Sequence, residues 1–202
     1  QNNIEALDLT NLLASSSVAS YYHTDTHWNE IGANLSALAI AETLRNLNWE
    51  TSQAADFQLQ TALSARSGDL IHLAGLDHLP RYLRPKIELA SITQVPPLQI
   101  ESDDLFGDSA LPTTVLLGTS YSRNSNFSAF LEHHLGQNLV NFAKDGGGFS
   151  GAAWAYFASA AYQETPPHTV IWEIPERVLE APVTEQERHG FALKISKVNT
   201  TH

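Results

Sequence analysis

Apolar and polar positions along the chain fall into two different periods. From Asn29 to Leu47 the apolar residues Ile31, Leu35 and Leu38 recur at helical spacing, while Glu42 and Arg45 mark a polar edge. That spacing predicts a helix directly after the segment Tyr21 to Trp28, with Asp25, Thr26 and His27 at its mouth. Before it, the short apolar-rich run from Ile4 to Leu9 predicts a strand, and Ala14 to Ser20 predicts a polar loop.

Later the pattern changes. Thr113 to Leu117 is a β-type run ending in Gly118-Thr119-Ser120, followed by a polar turn and a predicted helix from Phe127 to Leu135. The alternation repeats: Asn138 to Phe142 as a strand, Asp145 to Gly148 as a turn, Ala152 to Ala161 as a small-residue helix, and Thr169 to Glu173 as a further strand. Strands that alternate with helices predict an α/β fold, a parallel sheet of about four strands covered on both faces, with ligands outside the carboxyl ends of the strands. Ser120 and the glycine triplet both fall at such ends. The stretch from Thr51 to Leu111 follows neither period cleanly. Its GDLIHLAGLDHLPRYLRP segment predicts a helix or two broken at Pro80 and Pro85. The chain is therefore expected to be one domain, residues 1–202, with a cap or insertion at about 51–111.

Composition narrows the partners. A hydrophobic content of 43% and a charged content of 16% are those of a globular chain. The formal charge of −11 argues against a nucleic-acid backbone as partner and supplies no long-range attraction for an anionic polysaccharide. An acidic polymer would have to meet a local basic strip, for which Arg123, Lys144, Arg177 and Lys194 are the candidates. With no Cys, the sequence gives no redox indication of compartment. No apolar run approaches the ~20 residues needed to span a bilayer. The chain has no Met and no signal-peptide pattern at its start, so it reads as a mature product or an excised piece whose targeting or anchoring segment lies upstream.

Three segments carry candidate chemistry. In Gly118 to Ser125 a hydroxyl sits on a tight turn after a buried strand, where backbone N–H groups can face an oxyanion; a loop that merely caps the next helix is the plainer alternative. In Tyr22 to Trp28, Asp25 lies two residues before His27. A serine hydroxyl needs a base, and an imidazole serves best when a carboxylate fixes its tautomer, so this pair could activate a serine. A capping Asp with an exposed His, or a metal site of His23, Asp25 and His27, remain alternatives. In Asp145 to Phe149, the glycines allow a substrate or an N–H group to approach closely, or form only a tight turn; no G-x-G-x-x-G spacing suggests a dinucleotide. In Ile171 to Arg177, the expected role of Arg177 is a structural ion pair with Glu173 or Glu176.

Taken in order, YYHTDTHW, LLGTSYSRNSNF, NFAKDGGGF and VIWEIPERVL resemble the alginate O-acetyltransferase family of the AlgJ/AlgX type, from about Asp8 to Leu179. The resemblance implies a three-layer, SGNH-hydrolase-like α/β sandwich in permuted order, here lacking its N-terminal strand. It puts the nucleophile on Ser120, with Ser122 as competitor, the base on His27 and the orienting acid on Asp25. The backbone of Ser120 and of Gly146, Gly147 or Gly148 becomes the candidate oxyanion hole. Tyr121, Arg123, Trp28 and Lys144 are candidate substrate contacts, and Tyr21, Tyr22 and Phe149 further aromatic ones.

The expected reaction is transfer of an acetyl group through an acetyl-serine to a hydroxyl of an exopolysaccharide such as alginate, with no metal and no other cofactor. The resemblance also implies a periplasmic setting, a polysaccharide acceptor, a membrane-bound acetyl-donating partner and other proteins of an acetylation complex. An SGNH acetylesterase and a non-catalytic polysaccharide-binding subunit are the competing functions.

Overall fold

The computed structural model describes residues 4–49, 60–94, 113–185 and 187–190. The chain opens with α1 (Thr10–Ala14), a loop, and α2 (Glu30–Asn46). β1 (Gln60–Arg66), α3 (Asp69–Leu73) and β2 (Glu88–Gln94) follow, with two short 3-10 turns between α3 and β2. The remainder runs β3 (Thr114–Leu117), a 3-10 turn at Ser120–Ser122, α4 (Phe127–Leu135), β4 (Val140–Asn141), α5 (Gly151–Phe157), α6 (Ala160–Glu164), β5 (Thr169–Trp172) and α7 (Glu176–Leu179).

β3 is the centre of a three-stranded parallel sheet in the order β4-β3-β5, with Val115 opposite Val140 and Val170. All four residues of β3 are buried, because helices cover both faces of the sheet. Successive strand side chains point to opposite faces. Leu116 accordingly joins the cluster formed by α2 and α4, while Val115 and Leu117 join Ala152, Ala153 and Tyr156 of α5. On the first face Ala33, Ala37 and Ala41 present a flat surface to Phe127, Phe130, Leu131 and Leu135, all nearly or fully buried. Burying each large apolar side chain contributes about 1.5–3 kcal/mol. The result is the expected three-layer α/β sandwich, and all three parallel strands point their carboxyl ends at one edge.

Four expectations need correction. Residues 4–9 form no strand: the Asp8 carboxylate accepts from the Thr10 N–H at 2.8 Å, so a local side-chain bond starts α1 instead. The parallel sheet therefore has three strands among the described residues rather than about four. The helix expected over Ala152–Ala161 is two helices, because the Ser159 hydroxyl bonds back to the Tyr156 carbonyl and accepts from the Tyr162 N–H. Within 60–94 the chain contains an antiparallel ribbon of β1 and β2, with Arg66 opposite Glu88, which helical spacing did not predict. The remainder of the segment expected as a cap or insertion, at 51–59 and 95–111, lies outside the described residues.

Candidate active site

The turn before α2 is built by local bonds. An antiparallel bridge joins Tyr21 to Trp28, and the Tyr22 N–H donates to the His27 carbonyl at 3.3 Å. Asn29 fixes the base of this loop: its Oδ1 accepts from the Ile31 and Gly32 N–H groups as the cap of α2, while its Nδ2 donates to the Ala19 and Tyr21 carbonyls. The loop is thus held at both ends. Within it the Asp25 Oδ1 takes both the His27 N–H, at 3.0 Å, and the His27 Nδ1, at 2.6 Å. With Nδ1–H donating to the carboxylate, Nε2 is left as an acceptor.

The second half comes from the carboxyl end of β3. Ser120 opens a 3-10 turn whose cap is the Thr119 hydroxyl, which accepts from the Tyr121 N–H. The Ser120 Oγ lies 2.7 Å from the His27 Nε2, across 93 positions of sequence. Asp25, His27 and Ser120 therefore form one continuous hydrogen-bonded line. Tyr121 locks the two loops together: its carbonyl accepts from the Trp28 indole at 3.1 Å, its hydroxyl donates to the Thr26 carbonyl, and its ring lies 4.9 Å from the His27 ring. Ser122, the competing nucleophile, is fully buried and donates to Glu173.

Several residues that complete this arrangement carried no signal in the sequence. The Arg66 guanidinium, from the end of β1, donates through Nη2 and Nε to the Asp25 Oδ2 at 2.8 and 3.2 Å. Burial, the largest influence on the Asp25 carboxyl, pushes it up; the His27 ring, the His27 N–H and the Arg66 guanidinium together outweigh that and hold it below its ordinary value. Asp69, at the start of α3, accepts from the Thr26 N–H and hydroxyl at 2.7 and 2.5 Å and places its Oδ2 3.7 Å from the His27 Nδ1. Glu88 of β2 receives the His23 and Thr24 N–H groups and the Thr24 hydroxyl. Gly68 lets these segments meet, since a Cβ there would overlap the Thr24 carbonyl.

The expected ion pair of Arg177 is replaced by another contact. Its Nη1 donates to the Tyr121 hydroxyl at 3.1 Å and its guanidinium lies 5.1 Å from the centre of the Tyr121 ring. Glu173 instead turns inward and accepts from the Thr119 N–H at 2.7 Å, from the Thr119 hydroxyl, and from the Ser122 hydroxyl. Burial pushes the Tyr121 phenol up, so it stays a neutral donor.

Other candidates have clear positions. Trp28 is 4% exposed and packs on Tyr121 and Phe127, so it forms the floor beneath the loops. Arg123 and Lys144 are exposed, and the Arg123 Nε is 3.7 Å from the Asp145 Oδ1. Tyr22 lies under Arg66, and Phe149 packs on Trp172. Lys194 lies outside the described residues. The glycine turn is brought beside the serine turn by the Lys144 N–H, which donates to the Gly118 carbonyl at 3.0 Å. In that turn the Gly147 N–H is taken by the Lys144 carbonyl, while Gly146 and Gly148 adopt φ of 65° and 58°.

Among the described residues one group could offer ligands to a metal ion: Asp25, His27 and Asp69, with ligand atoms within 4.8 Å of one another. The His23 side chain of the metal set considered from sequence is exposed and outside it. All four carboxylate oxygens already accept protein hydrogen bonds or face the His27 ring, and the Arg66 cation bonds directly to Asp25. The donor set fits an oriented imidazole better than a dication.

Comparison with known proteins gives concordant findings. A family model described as an SGNH hydrolase-like domain, acetyltransferase AlgX, matches residues 1–176. The alginate biosynthesis protein AlgX of Pseudomonas syringae is 32% identical over 161 residues, 76% of this chain and 32% of that protein. The probable alginate O-acetylase AlgJ of Pseudomonas aeruginosa is 32% identical over 189 residues, 87% of this chain and 48% of that protein. The chain thus spans a third to a half of the length of these relatives. Among solved structures, Pseudomonas aeruginosa AlgX superposes with a TM-score of 0.65 at 28% identity, covering 91% of this chain and 42% of the other. The O-acetyltransferase domain of Pseudomonas putida AlgJ superposes with a TM-score of 0.64 at 26% identity, covering 86% of this chain and 60% of the other.

Proposed function

This chain belongs to the AlgX family of SGNH hydrolase-like acetyltransferase domains, and from that premise we propose that it transfers an acetyl group through Ser120 to a polysaccharide hydroxyl. The observation that supports this most strongly is the unbroken line from Asp25 to the His27 Nδ1, at 2.6 Å, and from the His27 Nε2 to the Ser120 Oγ, at 2.7 Å. A hydroxyl at that distance can pass its proton to Nε2 as Oγ attacks an acetyl carbonyl. The imidazolium that forms is stabilised by Asp25, whose charged form is favoured against burial by its bonds from His27 and by Arg66. The Ser120 N–H, at the open start of its 3-10 turn, is placed to donate to the oxyanion. Collapse expels the donor's leaving group, which takes the proton from His27, and leaves acetyl-Ser120.

In the second half the same chemistry runs backwards with a new partner. An acceptor hydroxyl gives its proton to the His27 Nε2 while its oxygen attacks the acetyl carbonyl, and Ser120 leaves with that proton. The relatives named alginate O-acetylase support a polyuronate such as alginate as the acceptor. Under this reading the chain works in the periplasm and receives its acetyl group from a membrane-bound partner within an acetylation complex; among the described residues no helix is long and apolar enough to cross a membrane itself.

Transfer and hydrolysis share the first half-reaction and are separated by the fate of the acetyl group. Incubation with an activated acetyl ester and oligouronate is expected to yield acetylated oligosaccharide. Release of free acetate alone would assign the chain to the esterases, and binding of oligosaccharide with no ester turnover would assign it to the non-catalytic subunits.

A further inference from the structure

Glu173 takes no part in the proton relay just described, yet it is the acid most closely engaged with the nucleophile's turn. It follows β5 directly, and its own N–H donates to the Leu117 carbonyl at 2.8 Å, so its backbone is fixed to the end of β3. Its Oε2 accepts from the Thr119 N–H at 2.7 Å, from the Thr119 hydroxyl at 3.0 Å and from the Ser122 hydroxyl at 3.1 Å. Gly118 makes room for it: a Cβ there would stand 2.5 Å from Oε2 and overlap the Ser122 Oγ. The carboxylate is thus inserted under the turn, hydrogen-bonded to Thr119 before Ser120 and to Ser122 after it.

The consequence concerns where the amides point. The Thr119 N–H is committed to Glu173, the Tyr121 N–H to the Thr119 hydroxyl, the Ser122 N–H to the Thr119 carbonyl, and the Arg123 and Asn124 N–H groups to the Ser120 carbonyl. Among the described residues, Ser120 is the one position from Thr119 to Asn124 whose N–H has no acceptor within the protein. Resting on the acyl-transfer reading above, we infer that Glu173 is a positioning residue: by holding both donors of Thr119 and the hydroxyl of Ser122, it turns the neighbouring amides away and leaves the Ser120 N–H and Oγ aimed at the reacting carbonyl. Burial, the largest influence on it, pushes the Glu173 carboxyl above its ordinary value against the bonds from Thr119 and Ser122, so those donors are what keep a buried acid useful as an acceptor.

The test separates positioning from mere support of the fold. Active sites are counted by covalent labelling of Ser120 with a fluorophosphonate, and acetyl-ester turnover is expressed per labelled site. Glu173→Leu removes every acceptor and is expected to lower kcat per site by ~10- to 100-fold with KM within about threefold, because misplacing a reacting atom slows chemistry more than binding. Glu173→Gln retains one acceptor oxygen and is expected to recover most of the loss. Should Glu173→Leu fail to fold, Thr119→Val provides the readout: it keeps the backbone N–H and the shape but loses the linking hydroxyl, and kcat per site is expected to fall several-fold. Normal kcat per site with only fewer active sites, a rise in KM alone, or full activity in the folded variants would overturn the inference. Ser120→Ala, run alongside, tells this outcome from the other: turnover that survives its loss sinks the acyl-serine reading, whereas turnover that vanishes there but persists in Glu173→Leu sinks only the role of Glu173.

Discussion

At the scale of single residues, the Asp25–His27–Ser120 line owes its geometry to a few short contacts, and the most informative of these lies outside it. Arg66 binds the Asp25 oxygen that His27 leaves over, so removing the guanidinium leaves a buried carboxylate without its cationic partner on that side. Asp25 has a folded pKa below its ordinary value, so its contribution to stability is present above the usual carboxylate range, near pH 4, and is lost as pH falls through the folded value. Arg66→Met is expected to raise the Asp25 carboxyl and move this acid loss of stability to higher pH, measured as the denaturation midpoint across the acid range. An unchanged acid profile would show that Arg66 does not sustain the ionised form. Asp25, His27 and Ser120, which the structure brings into one hydrogen-bonded line, could be singled out in the sequence because each stands in a short motif with a chemical reason for its spacing. Arg66, Asp69 and Glu88 were not, because they reach the site from separate elements and become its neighbours only on folding; Glu173 stood out only as an ion-pair partner for Arg177, and its bonds go instead to Thr119 and Ser122.

At the scale of elements, the packing of α4 on α2 supports the serine turn from below. His134, near the end of α4, donates across this contact from its Nε2–H to the Asn34 Oδ1 at 2.7 Å. Burial, followed by the nearby His133 and Arg45, pushes its pKa down to about 4 from an ordinary value of 6.5. The unfolded chain therefore takes up this proton before the folded one does, and stability present above the ordinary value is lost as pH falls from there toward the folded value. His134→Gln, which keeps a donor for Asn34 but does not titrate, is expected to flatten the stability profile over that interval; a profile as steep as the parent's would place the dependence elsewhere. The helix α4 and the strand β3 were readable because period and burial agree in them, whereas α2 was readable only as a helix: it buries Gly32, Ala33, Ser36, Ala37 and Ala41 and leaves Ile31 and Leu38 of the expected apolar stripe exposed. The ribbon of β1 and β2 was not: it exposes Leu63 and Leu89 on one face and buries Ala90 and Thr93 within the same strand pair, so its apolar residues do not mark the core. Ile4 to Leu9 erred the opposite way, since an apolar run becomes a strand only where a partner strand receives it.

At the scale of the whole molecule, one half of the site comes from the loop before α2 and the other from the end of the central strand β3, 93 positions apart, and they meet at the carboxyl edge of the sheet, where open α/β sheets bind their ligands. The net charge of −11 supplies no long-range attraction for an anionic acceptor, and charge acts locally within about 10 Å at moderate salt; of the guanidinium groups near the loops, Arg66 is paired with Asp25 and Arg177 lies against Tyr121. The family resemblance was readable because four motifs keep their order along the chain, although the supporting acids and bases between them went unrecognised. Whether Ser120 carries the acetyl group is measured directly by intact mass followed through time. After brief exposure to an activated acetyl ester, the protein is expected to gain one acetyl group that maps to Ser120, fails to appear in Ser120→Ala, and leaves when an acceptor oligosaccharide is added. Turnover without any acetylated protein, or an acetyl group that maps elsewhere and persists in the presence of acceptor, would rule out Ser120 as the acetyl carrier.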